Sequence, residues 1–254
     1  MTPRLSVRGL SKSFGGVAAA SEIDLDLHPG DRCALIGPNG AGKTTFVNLV
    51  TGVIPPDQGR IELDGQDVTR LSAQRRVRLG LVRTFQVARL FRGMTVREHL
   101  ELAVLEREGR TASLFASLRR IPGLADEVAA LLGTLGLAPV AGTTVATLAY
   151  GQQRLLEIAL ALALKPKVLV LDEPAAGVPH AESRRILDAL DRLPADLAVL
   201  MIEHDMDLVF RFARRIVVLA QGRLLCSGTA REIAADPRVR EVYLGSREHA
   251  HRAP

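Results

Sequence analysis

The chain is poor in aromatic residues and in cysteine. Its 254 residues include no tryptophan, two tyrosines, seven phenylalanines and two cysteines. Proteins that bind single-stranded nucleic acid usually stack its bases on aromatic side chains, so this composition argues against such a surface. The two cysteines, Cys33 and Cys226, stand alone in strand-like segments. We expect both to be reduced, small core residues.

Long apolar runs are also missing. A membrane span needs about 18–20 consecutive apolar residues, and the best candidate, Leu155 to Leu164, contains Glu157 and is followed by Lys165. The first residues include no apolar stretch, so we expect no signal peptide. An apolar fraction of 47% still suffices for one sizeable core, or for one core plus a subdomain. We therefore expect a single domain at 1–245 and a disordered tail at 246–254.

The charge is moderately basic, with a formal net charge of +5. Such a balance can indicate an anionic partner, either nucleic acid or a membrane surface. With so few aromatic residues, a solvated helix face is favoured over a lipid-binding surface for the densest basic cluster. That cluster comprises Arg70, Arg75, Arg76, Arg78 and Arg83.

The chain does contain a loop typical of phosphate-binding sites. Its spacing, G-x-x-x-x-G-K-T, is that of a P-loop, in which backbone N–H groups wrap a polyphosphate and glycine lets the backbone approach. A buried strand, 32–36, precedes the loop, and a predicted helix, 44–50, points its positive N-terminus at the anion. We expect Lys43 to reach the β- and γ-phosphates and Thr44 to offer a hydroxyl to Mg²⁺. The predicted nucleotide-binding residues of this loop are Gly37, Asn39, Gly40, Ala41, Gly42, Lys43, Thr44 and Thr45.

A second candidate element is a buried strand, Lys167 to Leu171, that ends in Asp172 and Glu173. In a P-loop protein such an aspartate holds the hydrated Mg²⁺, and an adjacent glutamate can polarise the attacking water. The strand 197–202 is followed closely by His204. If both strands lie in one parallel sheet, both ends face the nucleotide crevice. We therefore expect Glu173 to act as general base and His204 to contact the γ-phosphate.

Two further positions have more than one interpretation. Gln86, at the end of the predicted strand 81–85, is a candidate ligand of Mg²⁺ or of a water molecule. Phe14 follows the first predicted strand, 5–10. Its ring could pack in the core or, with Val17 beside it, stack on an adenine ring.

The middle of the chain has helical patterns. Thr95 and Glu98 form a capping box that predicts a helix after them, and leucines at helical spacing from Leu124 to Leu135 predict another. Nothing between 87 and 145 resembles a strand. We therefore expect an α/β core, 1–86 and 166–245, with an inserted helical subdomain, 87–165.

Together with the stretch 148–152, these motifs resemble those of the ATP-binding-cassette (ABC) ATPases over about residues 5–245. Five motifs agree in type and order: the P-loop, Gln86, the signature stretch 148–152, Asp172-Glu173 and His204. The resemblance implies a P-loop NTPase fold, an α/β core with a mainly parallel sheet, an N-terminal antiparallel β-layer and the inserted helical subdomain. It also implies ATP hydrolysis in a head-to-tail dimer, where each signature stretch completes the partner's ATP site. The signature residues are Leu148, Ala149, Tyr150, Gly151 and Gln152.

For individual residues, the resemblance implies two groups of roles. Lys43, Glu173 and His204 would be catalytic. Thr44 and Gln86 would coordinate Mg²⁺, and Asp172 would hold it through water. ATP and Mg²⁺ would be the cofactors.

A narrower resemblance is to the ATPases of branched-chain amino-acid importers. The matching stretches are Leu-Ala-Tyr-Gly-Gln-Gln-Arg at 148–154, Asp-Glu-Pro-Ala-Ala-Gly at 172–177, Ile-Glu-His-Asp-Met at 202–206 and Tyr-Leu-Gly at 243–245. Two related ATPases usually pair in that subfamily, and this chain resembles the longer one, with extra residues around 110–122. The implied partners are a second ABC ATPase, two membrane permeases and, indirectly, an extracytoplasmic solute-binding protein. The implied location is the cytoplasmic face of the inner (plasma) membrane, with no nucleic-acid partner.

Two departures from the broad family pattern stand out. Ala149 and Tyr150 replace the serine and first glycine of Leu-Ser-Gly-Gly-Gln, which removes one hydroxyl from the signature stretch. The loop after Asp172-Glu173 carries Pro179 and His180 where the family usually has an aspartate. We expect the coupling between the two ATP sites to be weaker or differently arranged.

Two other activities remain open. A lipid or lipopolysaccharide exporter ATPase shares most of these motifs, although Ala149-Tyr150 argues against it. A soluble ABC ATPase acting on nucleic acid would usually carry two cassettes or a long coiled-coil insert, and this chain has neither. The substrate stays open between branched-chain amino acids, other amino acids, amides and urea, because the ATPase does not touch it in this family.

Overall fold

A computed structural model describes residues 2–84, 90–110 and 121–250. Gln86, most of the extra segment (111–120) and the last four residues lie outside these ranges. In chain order the elements are β1 (Leu5–Phe14), β2 (Val17–Leu27), β3 (Arg32–Ile36), α1 (Lys43–Val50), β4 (Gln58–Leu63), β5 (Gln66–Asp67), α2 (Ala73–Arg78), β6 (Leu81–Arg83), α3 (Val96–Arg107), α4 (Leu124–Thr134), α5 (Tyr150–Ala163), β7 (Val168–Asp172), α6 (His180–Leu190), β8 (Ala198–Ile202), α7 (Met206–Phe212), β9 (Arg215–Ala220), β10 (Arg223–Gly228), α8 (Ala230–Ala235) and α9 (Pro237–Ala250).

Two sheets form the framework. The first is antiparallel, with the strand order β2-β1-β4-β5. The second has the order β10-β9-β3-β8-β7-β6, in which β9, β3, β8, β7 and β6 are parallel and the edge strand β10 is antiparallel. The predicted mainly parallel sheet and N-terminal antiparallel layer are therefore confirmed. Because parallel strands end at the same edge, the carboxyl ends of β3, β7 and β8 lie side by side.

The parallel sheet separates two hydrophobic cores. Val168 and Val170 of β7 face the core shared with α1 and the antiparallel sheet. Leu169 and Leu171 face the opposite core, against the helices. Successive side chains of a strand point to opposite faces, so a strand covered on both faces is apolar at every position. This explains the uninterrupted apolar run of β7.

Helices α3, α4 and α5 pack on one another. The predicted capping box at the start of α3 is confirmed. Thr95 Oγ1 accepts from the backbone N–H of Glu98 at 3.2 Å, and Glu98 Oε2 accepts from that of Thr95 at 2.7 Å. These helices make up much of the described part of 87–165, which we propose as the inserted subdomain. Within the described ranges, no helix is long and apolar enough to span a membrane.

Three local predictions need correction. Strand β1 continues past Leu10 because its end pairs with β2, with Phe14 opposite Val17. Helix α9 continues through Ser246, where we expected a tail, because residues 246–250 contain no glycine or proline. The basic cluster is not one solvated face, because Arg76 is 1% exposed.

The core position predicted for both cysteines is confirmed in full only for Cys33. Cys33 is buried and Cys226 half-buried, and neither forms a disulfide. Burial raises the pKa of the Cys33 thiol to about 12, so that thiol stays protonated at neutral pH.

Candidate nucleotide site

The loop between β3 and α1 has the backbone of a phosphate cradle. Gly37, Gly40 and Gly42 have φ angles of 154°, 79° and 100°, which glycine adopts readily. A Cβ at Gly37 would clash with the carbonyl oxygen of Leu219, and one at Gly42 with a carbonyl of β2. Gly42 is also the N-cap of α1. The positive end of that helix therefore opens into the loop.

Lys43 is folded onto this loop. Its Nζ donates to the carbonyl oxygens of Gly37 at 2.6 Å and Pro38 at 3.0 Å. Burial lowers the pKa of Lys43, while the nearby Glu173 carboxylate acts in the opposite direction. The ammonium group is thus held at the loop, where it can reach a phosphate bound there.

Oxygen ligands suited to a hydrated cation lie at the ends of α1 and β7. Thr44 is exposed at the start of α1, and Asp172 is 9% exposed at the end of β7. Arg83 of β6 forms an ion pair with Asp172 Oδ2 and donates to Asn48 Oδ1 at 2.7 Å. Asn48 lies one helical turn after Thr44. One hydroxyl and one carboxylate fit Mg²⁺, which keeps several waters and binds together with phosphates.

Glu173 and His204 lie next to each other at the ends of adjacent strands. Glu173 Oε1 is 3.8 Å from His204 Nδ1, and the His204 side chain is 70% exposed. Glu173 has a φ of 48°, and its backbone N–H donates to Ile202 of β8 at 2.9 Å. Left-handed backbone is strained for a residue other than glycine and is often found at functional sites. This arrangement suits a base and a phosphate sensor that act on one bound nucleotide.

The β1–β2 hairpin carries an exposed aromatic ring at its turn. Phe14 and Val17 are 50% and 70% exposed, so packing in the core is wrong for Phe14. A Cβ at Gly42 would touch the carbonyl of Ala19, which puts this hairpin next to the P-loop. Stacking of Phe14 on an adenine ring remains a prediction, with Val17 beside it.

The signature stretch begins α5. The Ala149 N–H donates to Gln152 Oε1 at 3.1 Å. The Tyr150 ring, 45% exposed, lies against Gly177 and 5.3 Å from the guanidinium carbon of Arg154. A Cβ at Gly151 would meet a side chain of α6. The nearest atom is the flexible carboxylate end of Glu182, so this contact shows that α5 and α6 pack closely at Gly151.

The structure brings together the P-loop, Asp172, Glu173 and His204 at one edge of the parallel sheet. Sequence reasoning missed three residues beside them. Arg83 contacts Asp172 directly, and Asn48 accepts a hydrogen bond from Arg83. Glu203 is a buried carboxylate next to His204. Two sequence signals could have identified the first two of these residues. Arg83 is a charged residue at the end of an otherwise apolar strand, and Asn48 lies four residues after Thr44, on the same face of the helix.

Comparisons with known proteins agree with this geometry. The family profile described as "ABC transporter" matches residues 20–176, and that described as "Branched-chain amino acid ATP-binding cassette transporter" matches residues 223–249. The Escherichia coli (strain K12) protein "High-affinity branched-chain amino acid transport ATP-binding protein LivG" is 42% identical, over 96% of this chain and 98% of that protein. The corresponding protein BraF of Pseudomonas aeruginosa is also 42% identical, with the same coverage.

Solved structures give the same result. A nucleotide-free ATP-binding cassette from an ABC transporter has a TM-score of 0.81 and 29% identity, over 95% of this chain and 98% of that chain. The ADP conformation of an ATP-binding cassette of an ABC transporter has a TM-score of 0.81 and 30% identity, over 96% and 100%. The chain belongs to the ABC transporter family, as one of its ATP-hydrolysing cassettes.

Proposed function

We propose that this ATPase energises the import of branched-chain amino acids or related amino acids and amides. The observation that best supports ATP hydrolysis is that the P-loop, Asp172, Glu173 and His204 lie together at one edge of the parallel sheet. The substrate class is supported by the names of the two relatives, both branched-chain amino acid transport ATP-binding proteins, and by the family match of residues 223–249. The chain would lie at the cytoplasmic face of the membrane, held there by permeases.

In the proposed mechanism, most of the rate enhancement comes from positioning and charge stabilisation. Lys43 and the loop N–H groups hold the β- and γ-phosphates, and Thr44 with Asp172 would hold Mg²⁺, together with Gln86. When bound, that ion would neutralise charge on the phosphate oxygens. Glu173 accepts a proton from the attacking water, and His204 contacts the γ-phosphate.

A second cassette would complete each ATP site through its signature stretch, residues 148–152 in this chain. ATP at both interfaces would close the dimer, and loss of the γ-phosphate contacts would open it. The two cassettes can be identical or related, and the narrower resemblance favours a shorter relative.

Pro179 offers a test of coupling between the two sites. It is the exposed N-cap residue of α6. A Pro179→Asp change supplies both a capping oxygen and the carboxylate usual in the family, so we expect a higher Hill coefficient for ATP. ATPase rates of the paired cassettes measure this, with Pro194→Asp, at another exposed proline, as control. Unchanged rate and cooperativity would count against a role for this position.

The surface that we propose for the permeases is a largely apolar groove between β6, α3 and α5. Phe91 stands at this groove with 59% of its surface exposed, and its ring lies 5.9 Å from that of His99. A helix with an apolar face fits such a groove. The described lining residues are Val82, Arg83, Thr84, Phe91, His99, Leu102, Ala103, Glu106, Glu157, Leu160, Ala161 and Leu164.

Reconstitution tests both proposals. The chain is combined in proteoliposomes with the proposed partners, namely a second cassette, two permeases and a solute-binding protein from the same organism, and uptake of labelled leucine is measured. We expect ATP-dependent uptake, reduced at least about 5-fold by Phe91→Ala, as for an interface anchor. Phe210→Ala, at an exposed phenylalanine of α7, is the matched control. Transport of lipid instead of amino acids would overturn the proposed substrate class.

A further inference from the structure

Glu203 is a buried carboxylate that the proposed mechanism does not use. It follows β8 directly and precedes His204, and the residue is 2% exposed. An ionised carboxylate is costly to bury unless hydrogen bonds replace its water. Glu203 therefore needs local donors.

Three backbone N–H groups supply those bonds. Ala175 donates to Oε1 at 3.2 Å, His204 donates to Oε2 at 3.0 Å, and Asp205 donates to Oε2 at 3.5 Å. One oxygen thus holds the loop after β7, and the other holds the loop after β8. Burial raises the pKa of Glu203, and these three donors act in the opposite direction.

The two loops are those that carry Glu173 and His204. The ladder between β7 and β8 ends with the pair Asp172–Ile202, followed by the Glu173 N–H bond to Ile202. Beyond that point, the Glu203 carboxylate continues the connection between the two chain segments. The left-handed backbone of Glu173 makes such support useful, because strained residues persist only where their surroundings hold them.

We propose that Glu203 is a positioning residue that keeps Glu173 and His204 at a constant spacing. The proposal rests on the roles proposed for those two residues. A carboxylate suits this position because both of its oxygens accept hydrogen bonds. A glutamine would place an amide N–H₂ against one of the backbone donors, so one of the two loops would lose its connection.

The test is the full-length chain with Glu203→Gln. We expect kcat to fall by about 10-fold, as for a small misplacement of reacting groups. The Kd for ATP should stay within about twofold, because the P-loop is untouched. Glu101→Gln, at a partly buried glutamate of α3, is the control and should retain wild-type kinetics.

A double-mutant cycle with His204→Ala separates positioning from a general loss of structure. If Glu203 acts by keeping the side chains of Glu173 and His204 at one spacing, its change should have little further effect on kcat once the His204 side chain is removed. A full 10-fold loss in both backgrounds would overturn the proposal, as would wild-type kcat in a folded Glu203→Gln variant. Glu203→Asp, which retains the charge but spans a shorter distance, should also lower kcat and provides a second variant if the glutamine form unfolds.

The kinetics of three variants distinguish the positioning role of Glu203 from the roles proposed for Glu173 and His204. If Glu173→Gln and His204→Ala lose turnover while Glu203→Gln does not, only the positioning role is wrong. If Glu173→Gln retains turnover, the role of Glu173 as general base is wrong.

Discussion

Glu173→Gln should slow ATP turnover by at least about 100-fold while ATP binding remains close to that of the wild type. Glutamine has the shape of glutamate but cannot accept a proton from the attacking water. A 100-fold loss corresponds to about 2.7 kcal/mol of transition-state stabilisation. Single-turnover hydrolysis at saturating ATP, with a separate equilibrium binding assay, measures the two quantities independently.

The chain offers a close control for this change. Glu22 is an exposed glutamate of β2 with a φ of 51°, nearly the same left-handed backbone as the 48° of Glu173. Glu22→Gln alters the same functional group on the same type of backbone, at a residue that has no proposed role in catalysis. It should leave turnover unchanged within about twofold. Near-full turnover in Glu173→Gln would remove this residue from the role of general base.

The parts of the site that could be predicted are those whose chemistry requires particular residues at close spacing. The glycines before Lys43 are set by the backbone approach to phosphate, and both adjoining elements lie where expected. Likewise, the apolar run of β7 identifies a strand buried on both faces, so Asp172 and Glu173 fall at its end. Parallel pairing of β7 with β8 then places His204 beside Glu173.

The contacts that could not be predicted connect residues far apart in the chain or use backbone groups. Arg83 and Asp172 are separated by 89 positions, and no periodicity relates them. Glu203 is held by backbone N–H groups, which every residue except proline has. Similarly, Arg76 seemed to belong to a solvated basic face because its partners are backbone carbonyls rather than acidic side chains.

Arg76 is the site of the second large effect that we expect, on stability. Its Nη1 donates to the carbonyls of Leu49 at 2.7 Å and Val50 at 2.5 Å. Its Nε donates to Leu71 at 3.1 Å, and its Nη2 donates to Thr69 at 2.8 Å. The positive charge thus caps the C-terminus of α1, the negative end of the helix whose other end opens into the P-loop.

Arg76→Met should lower the free energy of unfolding by about 2–4 kcal/mol. Methionine fills most of the space but leaves the carbonyl groups without their donor. The expected loss is smaller than the sum of four hydrogen bonds because burial of the charge itself is unfavourable. The same burial lowers the pKa of Arg76 to about 10. Denaturant unfolding with Arg75→Met, at the exposed neighbouring arginine, gives the matched comparison.

The pH dependence of this loss has a definite sign. Since burial lowers the folded-state pKa of Arg76 to about 10, the unfolded chain binds more protons than the folded chain only in a window above a pH of about 10. In that window, Arg76 makes stability rise with pH. Below a pH of about 9, both states carry the proton, so the difference between wild type and Arg76→Met should be constant down to a pH of about 6. Arg76→Lys keeps the charge without the planar guanidinium group, so this variant should recover only part of the lost stability. Equal stability of the Arg76→Met and Arg75→Met variants would show that the cap contributes nothing.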